Sequence, residues 1–154
     1  MGFAEFRHRV PLRVRWAEVD LQGVVFNGHY LAYCDVCATE YWRAIGMTYP
    51  GAFETIGADL FVRKATLEYH APAGYDDELD ICGRTSRLGT TSLTFSVEMF
   101  RAGQRERALV TGELVYVCTD AVSRQSMQLP ALLRERILAF ESTVPAGAAG
   151  HAAN

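Results

Sequence analysis

The residues of this chain best suited to do chemistry lie between Asp20 and Asp35. No side chain between those two carboxylates is formally charged, and the segment holds Gly23, Asn27, Gly28, His29 and Tyr30. Asp20 stands before an apolar, glycine-bearing loop that ends where a helix should start. A carboxylate can attack a carbonyl or activate water. The first amides of a helix lack an intrahelical acceptor and sit at the positive end of its dipole. Together they supply two halves of an acyl-transfer site, one to form the new bond and one to hold the oxygen on which charge builds. Asp20 is equally suited to closing a turn. His29 can serve as a base, a helix-start donor or a plain surface residue. Glu18 reads as a solvated strand residue that faces the same way as Asp20 if the strand persists.

Other candidates carry weaker patterns. Arg63, Lys64, Arg84 and Arg87 can meet a phosphate-bearing ligand or end strands in solvent. Ser92 and Ser96 lack the strained G-x-S-x-G turn of a nucleophile elbow. No Walker A or G-x-G-x-x-G sequence is present. Cys34 and Cys37 form a C-x-x-C, but Cys82 and Cys118 stand alone, so a second ligand pair at metal spacing is missing. Buried, reduced thiols and no metal are expected. His70, just before a proline turn, reads as structural.

The elements that must position these groups follow from periodicity. Residues 6–17 read as a strand, with Pro11 pointing to an edge or a bulge. From His29 to Ile45 the period changes. Tyr30, Cys34, Cys37, Tyr41 and Ile45 recur at spacings of 4, 3, 4 and 4, the apolar face of an amphipathic helix. Asn27 and Gly28 are start signals and Gly46 a stop. A short piece over Pro50–Ile56 precedes four strands, Leu60–His70, Glu78–Leu88, Ser92–Arg101 and Glu106–Thr119, and a closing helix spans Pro130–Phe140. Successive hairpins make an antiparallel sheet, and its apolar face is the one large surface on which the long helix can bury its stripe. The expected class is α+β, with the helix wrapped by the sheet. One helix leaves sheet edges open, which favours two-fold pairing of copies.

Composition narrows the function. The 154 residues carry 15 basic and 18 acidic side chains, a formal charge of −3, and are 49% hydrophobic. Such a chain builds one ordinary domain with a real core. Its weakly acidic balance supplies no field for a phosphate backbone, so nucleic acid is not an expected partner. No secretory pattern opens the chain and no apolar run reaches the roughly 18 residues of a membrane span. The expected location is the cytoplasm. Residues 1–141 are expected to form the domain, and the Ala/Gly-rich residues 142–154 a flexible tail.

The run Val14-Arg-Trp-Ala-Glu-Val-Asp-Leu-Gln-Gly-Val-Val-Phe-Asn-Gly-His-Tyr-Leu31 resembles the signature of the 4-hydroxybenzoyl-CoA thioesterase-like hot-dog family. Val62-Arg-Lys, Glu68-Tyr-His-Ala-Pro-Ala, Asp77-Glu-Leu, Thr90-Thr-Ser-Leu and Val115-Tyr-Val-Cys resemble its branch of acyl-CoA thioesterases linked to the Tol–Pal cluster. The resemblance covers about residues 8 to 135. It implies a hot-dog fold, a long central helix wrapped by a curved five-stranded antiparallel sheet, paired into homodimers and often homotetramers. It implies hydrolysis of acyl-CoA or aroyl-CoA thioesters, with no cofactor beyond the coenzyme A of the substrate. Asp20 matches the family's catalytic carboxylate. Asn27, Gly28, His29 and Tyr30 match the helix start that polarises the carbonyl, and Arg63, Lys64 and Arg87 are the matching CoA-binding candidates. Asn27 departs from the His or Tyr of many relatives, and the turn at Gly89–Thr91 lacks their basic cluster. A non-hydrolytic module that binds acyl-CoA or an acyl carrier protein is the alternative.

Overall fold

In the computed structural model, which describes residues 2–151, the chain runs β1 (His8–Arg13), α1 (Asn27–Ala44), α2 (Gly51–Thr55), β2 (Ala58–Tyr69), β3 (Glu78–Leu88), β4 (Ser92–Arg101), β5 (Val110–Asp120) and α3 (Ala131–Phe140). The strands form one sheet in the order β1-β3-β4-β5-β2, antiparallel at every step. β3, β4 and β5 follow as hairpins, whereas β1 and β2 lie at the two edges. Pro11 sits on the edge strand β1, opposite Asp80, where its missing N–H breaks no ladder on a second side.

The stripe read from α1 is the core. Tyr30, Cys34, Cys37, Tyr41 and Ile45 are buried, together with Tyr33, Ala38 and Trp42 beside them. They meet the inward parity of the sheet: Leu79 and Ile81 of β3, Leu93, Phe95, Val97 and Met99 of β4, and Leu114 and Tyr116 of β5. All four cysteines are buried free thiols, and burial pushes the Cys34 thiol up to about 12. Gly46, at φ +79°, ends the helix in the left-handed conformation that suits glycine. No helix among the described residues is long and apolar enough to cross a membrane.

Several boundaries differ from the sequence reading. β1 stops at Arg13, because β3 begins at its partner Glu78; beyond it Val14 N–H donates to Asp77 O at 2.9 Å and Val14 O accepts the Asp76 N–H at 3.1 Å, from the turn that precedes β3. Trp16, expected on an apolar strand face, is 81% exposed in the turn that follows. β5 starts at Val110 instead of Glu106, since the register Met99–Val110 fixes where pairing with β4 begins. The segment after α3, a flexible tail by composition, is tied to the sheet in part. Within it, Ala146 donates to Ser86 O and accepts from Leu88 N–H, both at 2.9 Å, adding a short parallel bridge to β3. β1 pairs with β3 only as far as Gly83, so beyond it these β3 groups have no strand on that side and need other partners. Residues 152–154 lie outside the described residues.

One contact of α1 makes stability depend on pH. The Tyr41 hydroxyl and the Thr85 N–H both donate to Oε1 of Glu141, at 2.6 and 2.8 Å. Burial pushes the Glu141 carboxyl above its usual range despite these donors. A carboxyl raised on folding favours the protonated state, so its contribution is full below about pH 4.3 and is lost as pH rises through the folded value. Glu141→Gln keeps an acceptor but cannot ionise. The gain in urea midpoint of Glu141→Gln over the parent is therefore expected to grow between pH 4 and 7. An equal difference at every pH would remove Glu141 as the cause.

Candidate active site

The loop that carries Asp20 is closed at its base by the Phe26 N–H, which donates to the Glu18 carbonyl at 3.0 Å. Inside it, Asp20 N–H donates to Val24 O and Gly23 N–H to Asp20 O, both at 3.0 Å. Gly23 takes φ +76°, the left-handed value this tight turn needs. Oδ1 of Asp20 accepts the Gln22 N–H at 2.8 Å, so the turn-closing reading of Asp20 holds for one oxygen. Among the described residues nothing donates to the other. The loop is tied to the chain before β3 by Val25 N–H, which donates to Ala73 O at 2.9 Å.

Glu18 is not the solvated strand residue its sequence position suggests. A short 3-10 turn over Trp16–Glu18 rotates it inward, and it is 6% exposed. Oε1 accepts the Arg15 N–H at 2.8 Å and the Tyr33 hydroxyl at 3.0 Å, and Oε2 accepts the Arg15 guanidinium at 2.9 Å. Burial pushes the Glu18 carboxyl up, but the Arg15 side chain, the Arg15 N–H and the Tyr33 hydroxyl together outweigh it and hold the carboxyl below its usual range.

Helix α1 begins with Phe26 at the N-cap, a residue with no side-chain acceptor, and no side chain caps the helix. His29 N–H is spent on Phe26 O at 2.9 Å. The N–H groups of Asn27 and Gly28 find no acceptor among the described residues. Asn27, a start signal in the sequence, is thus the first helical residue, not the cap.

Asp20 and this helix start open on one cleft of about 330 Å3. Asp20, Gln22, Asn27, Tyr30, Tyr69 and His70 contribute to its wall. The Tyr69 hydroxyl donates to Asn27 O at 3.2 Å, and the Tyr30 hydroxyl accepts the Ala73 N–H at 3.0 Å. These bonds pin the end of β2 and the following turn to the first turn of α1. The sequence does not mark His70 as a site residue. His70 reads there as structural, and its Nε2 does lie 2.9 Å from Thr111 Oγ1, but the residue also lines the cleft. Only the meeting of the end of β2 with the start of α1 puts it there, and that is invisible in local sequence.

The remaining expected residues lie elsewhere. The His29 ring stacks edge-on to Phe26, with centroids 5.9 Å apart, outside the cleft wall. Arg63 and Lys64 are exposed on the edge strand β2, where the register slips between Val62 and Lys64. Arg63 is six residues from Tyr69, roughly 20 Å along a strand. Arg87 is exposed at the end of β3 away from the cleft, roughly 30 Å from Glu78. Among the described residues no group of three or more His, Cys, Asp or Glu side chains could hold a metal ion.

Five antiparallel strands around one long helix, with a carboxylate and that helix's uncapped first residue lining one cleft, define a hot-dog domain of the thioesterase kind. The thioesterase superfamily model matches residues 22–108, and the chain belongs to that family of enzymes. It is 32% identical over 122 residues to the acyl-CoA thioester hydrolase YbgC of Escherichia coli O6:H1 strain CFT073, an alignment covering 79% of this chain and 89% of that protein. The PA5185 protein of Pseudomonas aeruginosa PAO1 superposes with a TM-score of 0.80 at 26% identity, over 92% of this chain and 96% of that one. A thioesterase of Thermus thermophilus, solved with coenzyme A and zinc, superposes with a TM-score of 0.76 at 27% identity, over 91% and 98% of the two chains.

Proposed function

We propose that this chain hydrolyses acyl-CoA thioesters to the free acid and coenzyme A, with Asp20 as nucleophile or general base. The observation that carries the reading is that Asp20 and Asn27, the first residue of α1, line one cleft. The thioester carbonyl oxygen points at the N–H groups of Asn27 and Gly28. The free oxygen of Asp20 attacks the carbonyl carbon to give a mixed anhydride, which water then cleaves to the free acid and the Asp20 carboxylate, or it takes a proton from a water that attacks the thioester instead. In both routes the C–S bond breaks and its electron pair leaves on sulfur. A thiolate is a good leaving group and needs little acid assistance. Coenzyme A enters with the substrate and leaves as product. The name of the Escherichia coli relative and the coenzyme A in the Thermus thermophilus structure support the choice of thioester.

The working unit in this reading is a homodimer, and the family resemblance extends it to a homotetramer. β2 presents a twelve-residue edge with no strand beside it, and Val62 and Tyr69 on it are 48% and 53% exposed. In a two-fold antiparallel pairing along β2, the Tyr69 half of one copy lies beside the first half of the other. Arg63 and Lys64 then stand beside the two-fold axis, five or six residues from the Tyr69 end of either copy, where CoA phosphates that run along the seam can meet them. The four free thiols suit a reducing compartment, the cytoplasm.

A panel of short, long and aromatic acyl-CoA esters, followed with a thiol reagent, tests the reading. Thiol release in proportion to enzyme for at least one ester is expected. Tight binding by calorimetry with no release from any ester would favour the non-hydrolytic module for acyl-CoA or acyl carrier protein.

A further inference from the structure

We infer that Glu18 is a positioning residue, whose buried carboxylate fixes the distance between Asp20 and the first turn of α1. The inference rests on the reading of Asp20 as the reacting carboxylate. Glu18 is bonded to α1 twice, by different groups. Its carbonyl takes the N–H of Phe26 at the N-cap, and its carboxylate takes the hydroxyl of Tyr33 further along the helix. The same carboxylate takes both the backbone N–H and the guanidinium of Arg15 on the entering side of the loop. Three donors thus converge on one buried charge, with the helix on one side and the incoming chain on the other. Asp20 is two residues beyond this anchor, inside the loop that the Glu18–Phe26 bond closes.

A clamp of this kind sets geometry more than it adds stability. Removing a carboxylate from water is costly, and its partners roughly repay that cost. An apolar residue would hold a loop against a helix as firmly. It would not fix the loop's rotation about the helix start, as bonds to Phe26 and Tyr33 at two heights on α1 do. A reacting group displaced by about 1 Å can cost roughly 100-fold in rate. The charged and titratable groups that face Glu18 are Arg15 from the entering chain and Tyr33 from α1. Arg15 is itself exposed, so its bond can be lost with little change in packing.

The test uses the full chain, the best ester from the panel, and the variants Tyr33→Phe, Glu18→Gln and both together. Tyr33→Phe removes one hydroxyl and keeps the ring that the core needs. Each single variant is expected to lower kcat by about 10- to 100-fold while KM changes less than about threefold and the protein stays folded. The double variant is expected to lose more than either single one, because Tyr33→Phe removes the hydroxyl bond to Oε1 while Glu18→Gln keeps that oxygen and removes the Oε2 bond to the Arg15 guanidinium. Hydrogen exchange at the Phe26 and Asp20 amides, read by NMR, should quicken in Tyr33→Phe. Folded variants with kcat within twofold of the parent would overturn the inference. So would losses that follow only the folded fraction, and should Glu18→Gln not fold, Tyr33→Phe alone decides. A parent protein with no turnover on any ester would instead overturn the reading of Asp20, and the exchange rates would still report whether the clamp holds the loop.

Discussion

Asp20→Asn is expected to lower kcat by about 10²- to 10⁴-fold, the usual contribution of a positioned acid–base group, and to leave the fold intact. The substitution is mild for the structure. An amide oxygen still accepts the Gln22 N–H, so the turn that Asp20 closes survives, and the other carboxylate oxygen has no donor to lose among the described residues. It is severe for the chemistry, because a neutral amide neither attacks a thioester nor takes a proton from water. The expected signature is a fall in kcat and kcat/KM together, with unchanged thermal unfolding, as when an interaction made only in the transition state is removed. Turnover within tenfold of the parent would take Asp20 out of the mechanism and leave the uncapped helix start with some other partner.

A single turnover in ¹⁸O-water identifies the anhydride route when water opens the anhydride at the Asp20 carboxyl; opening at the acyl carbon labels the acid just as direct attack does. If water attacks the thioester directly, the acid formed in the first turnover carries the label. If an anhydride forms and water opens it at the Asp20 carboxyl, the first acid is unlabelled and the label appears in the protein. The second outcome requires the free oxygen of Asp20 to reach the carbonyl carbon while the oxygen bonded to Gln22 stays in place, a division of labour the turn geometry favours.

The parts of this molecule legible in its sequence are those in which a period repeats. β3 and β4 run over the residues read from alternation, and the stripe on α1 is buried at each expected position. Hairpin strands meet their partners at short separations, and alternation survives wherever one face is buried. Legibility fails where position depends on a distant partner. Glu18 reads as a strand residue because nothing nearby announces the 3-10 turn that sends it toward Tyr33, fifteen residues away. Phe26 is a poor cap by residue type, and it holds that place because its N–H is drawn to Glu18 O. Asp20 and Asn27 can be paired from the sequence because the loop between them is short, whereas Tyr69 and His70 enter the cleft only through the sheet. Arg63 and Lys64 are named from a motif, and the fold puts them on an open sheet edge outside the cleft lining, a placement that no local pattern announces.

Gly83→Val is expected to be among the most destabilising single changes in the core, and the reason lies in how α1 is seated. A Cβ at Gly83 would stand 2.4 Å from Cζ of Phe95 and 2.7 Å from Sγ of Cys37. Neither neighbour is free to move. Phe95 is fully buried and packs its ring on Tyr41 at 5.0 Å, and the Cys37 thiol faces Ile81 O while its carbonyl meets His8 Nε2 at 3.0 Å. The missing side chain is the gap through which the helix approaches β3. Overpacking typically costs 1–3 kcal/mol, and with two rigid walls the loss here should reach about 3 kcal/mol, a fall in Tm of about 6–12 °C for a chain of this size. Gly51→Ala, which meets nothing within 4 Å at the start of α2, is the matched control and should leave Tm unchanged or slightly raised. Because the same helix presents its first turn to Asp20, a folded fraction of Gly83→Val should also turn over more slowly per folded molecule. Full specific activity in that fraction would mean the helix start is held by the loop bonds to Glu18 and Tyr69 alone, independently of how deeply α1 sits on the sheet.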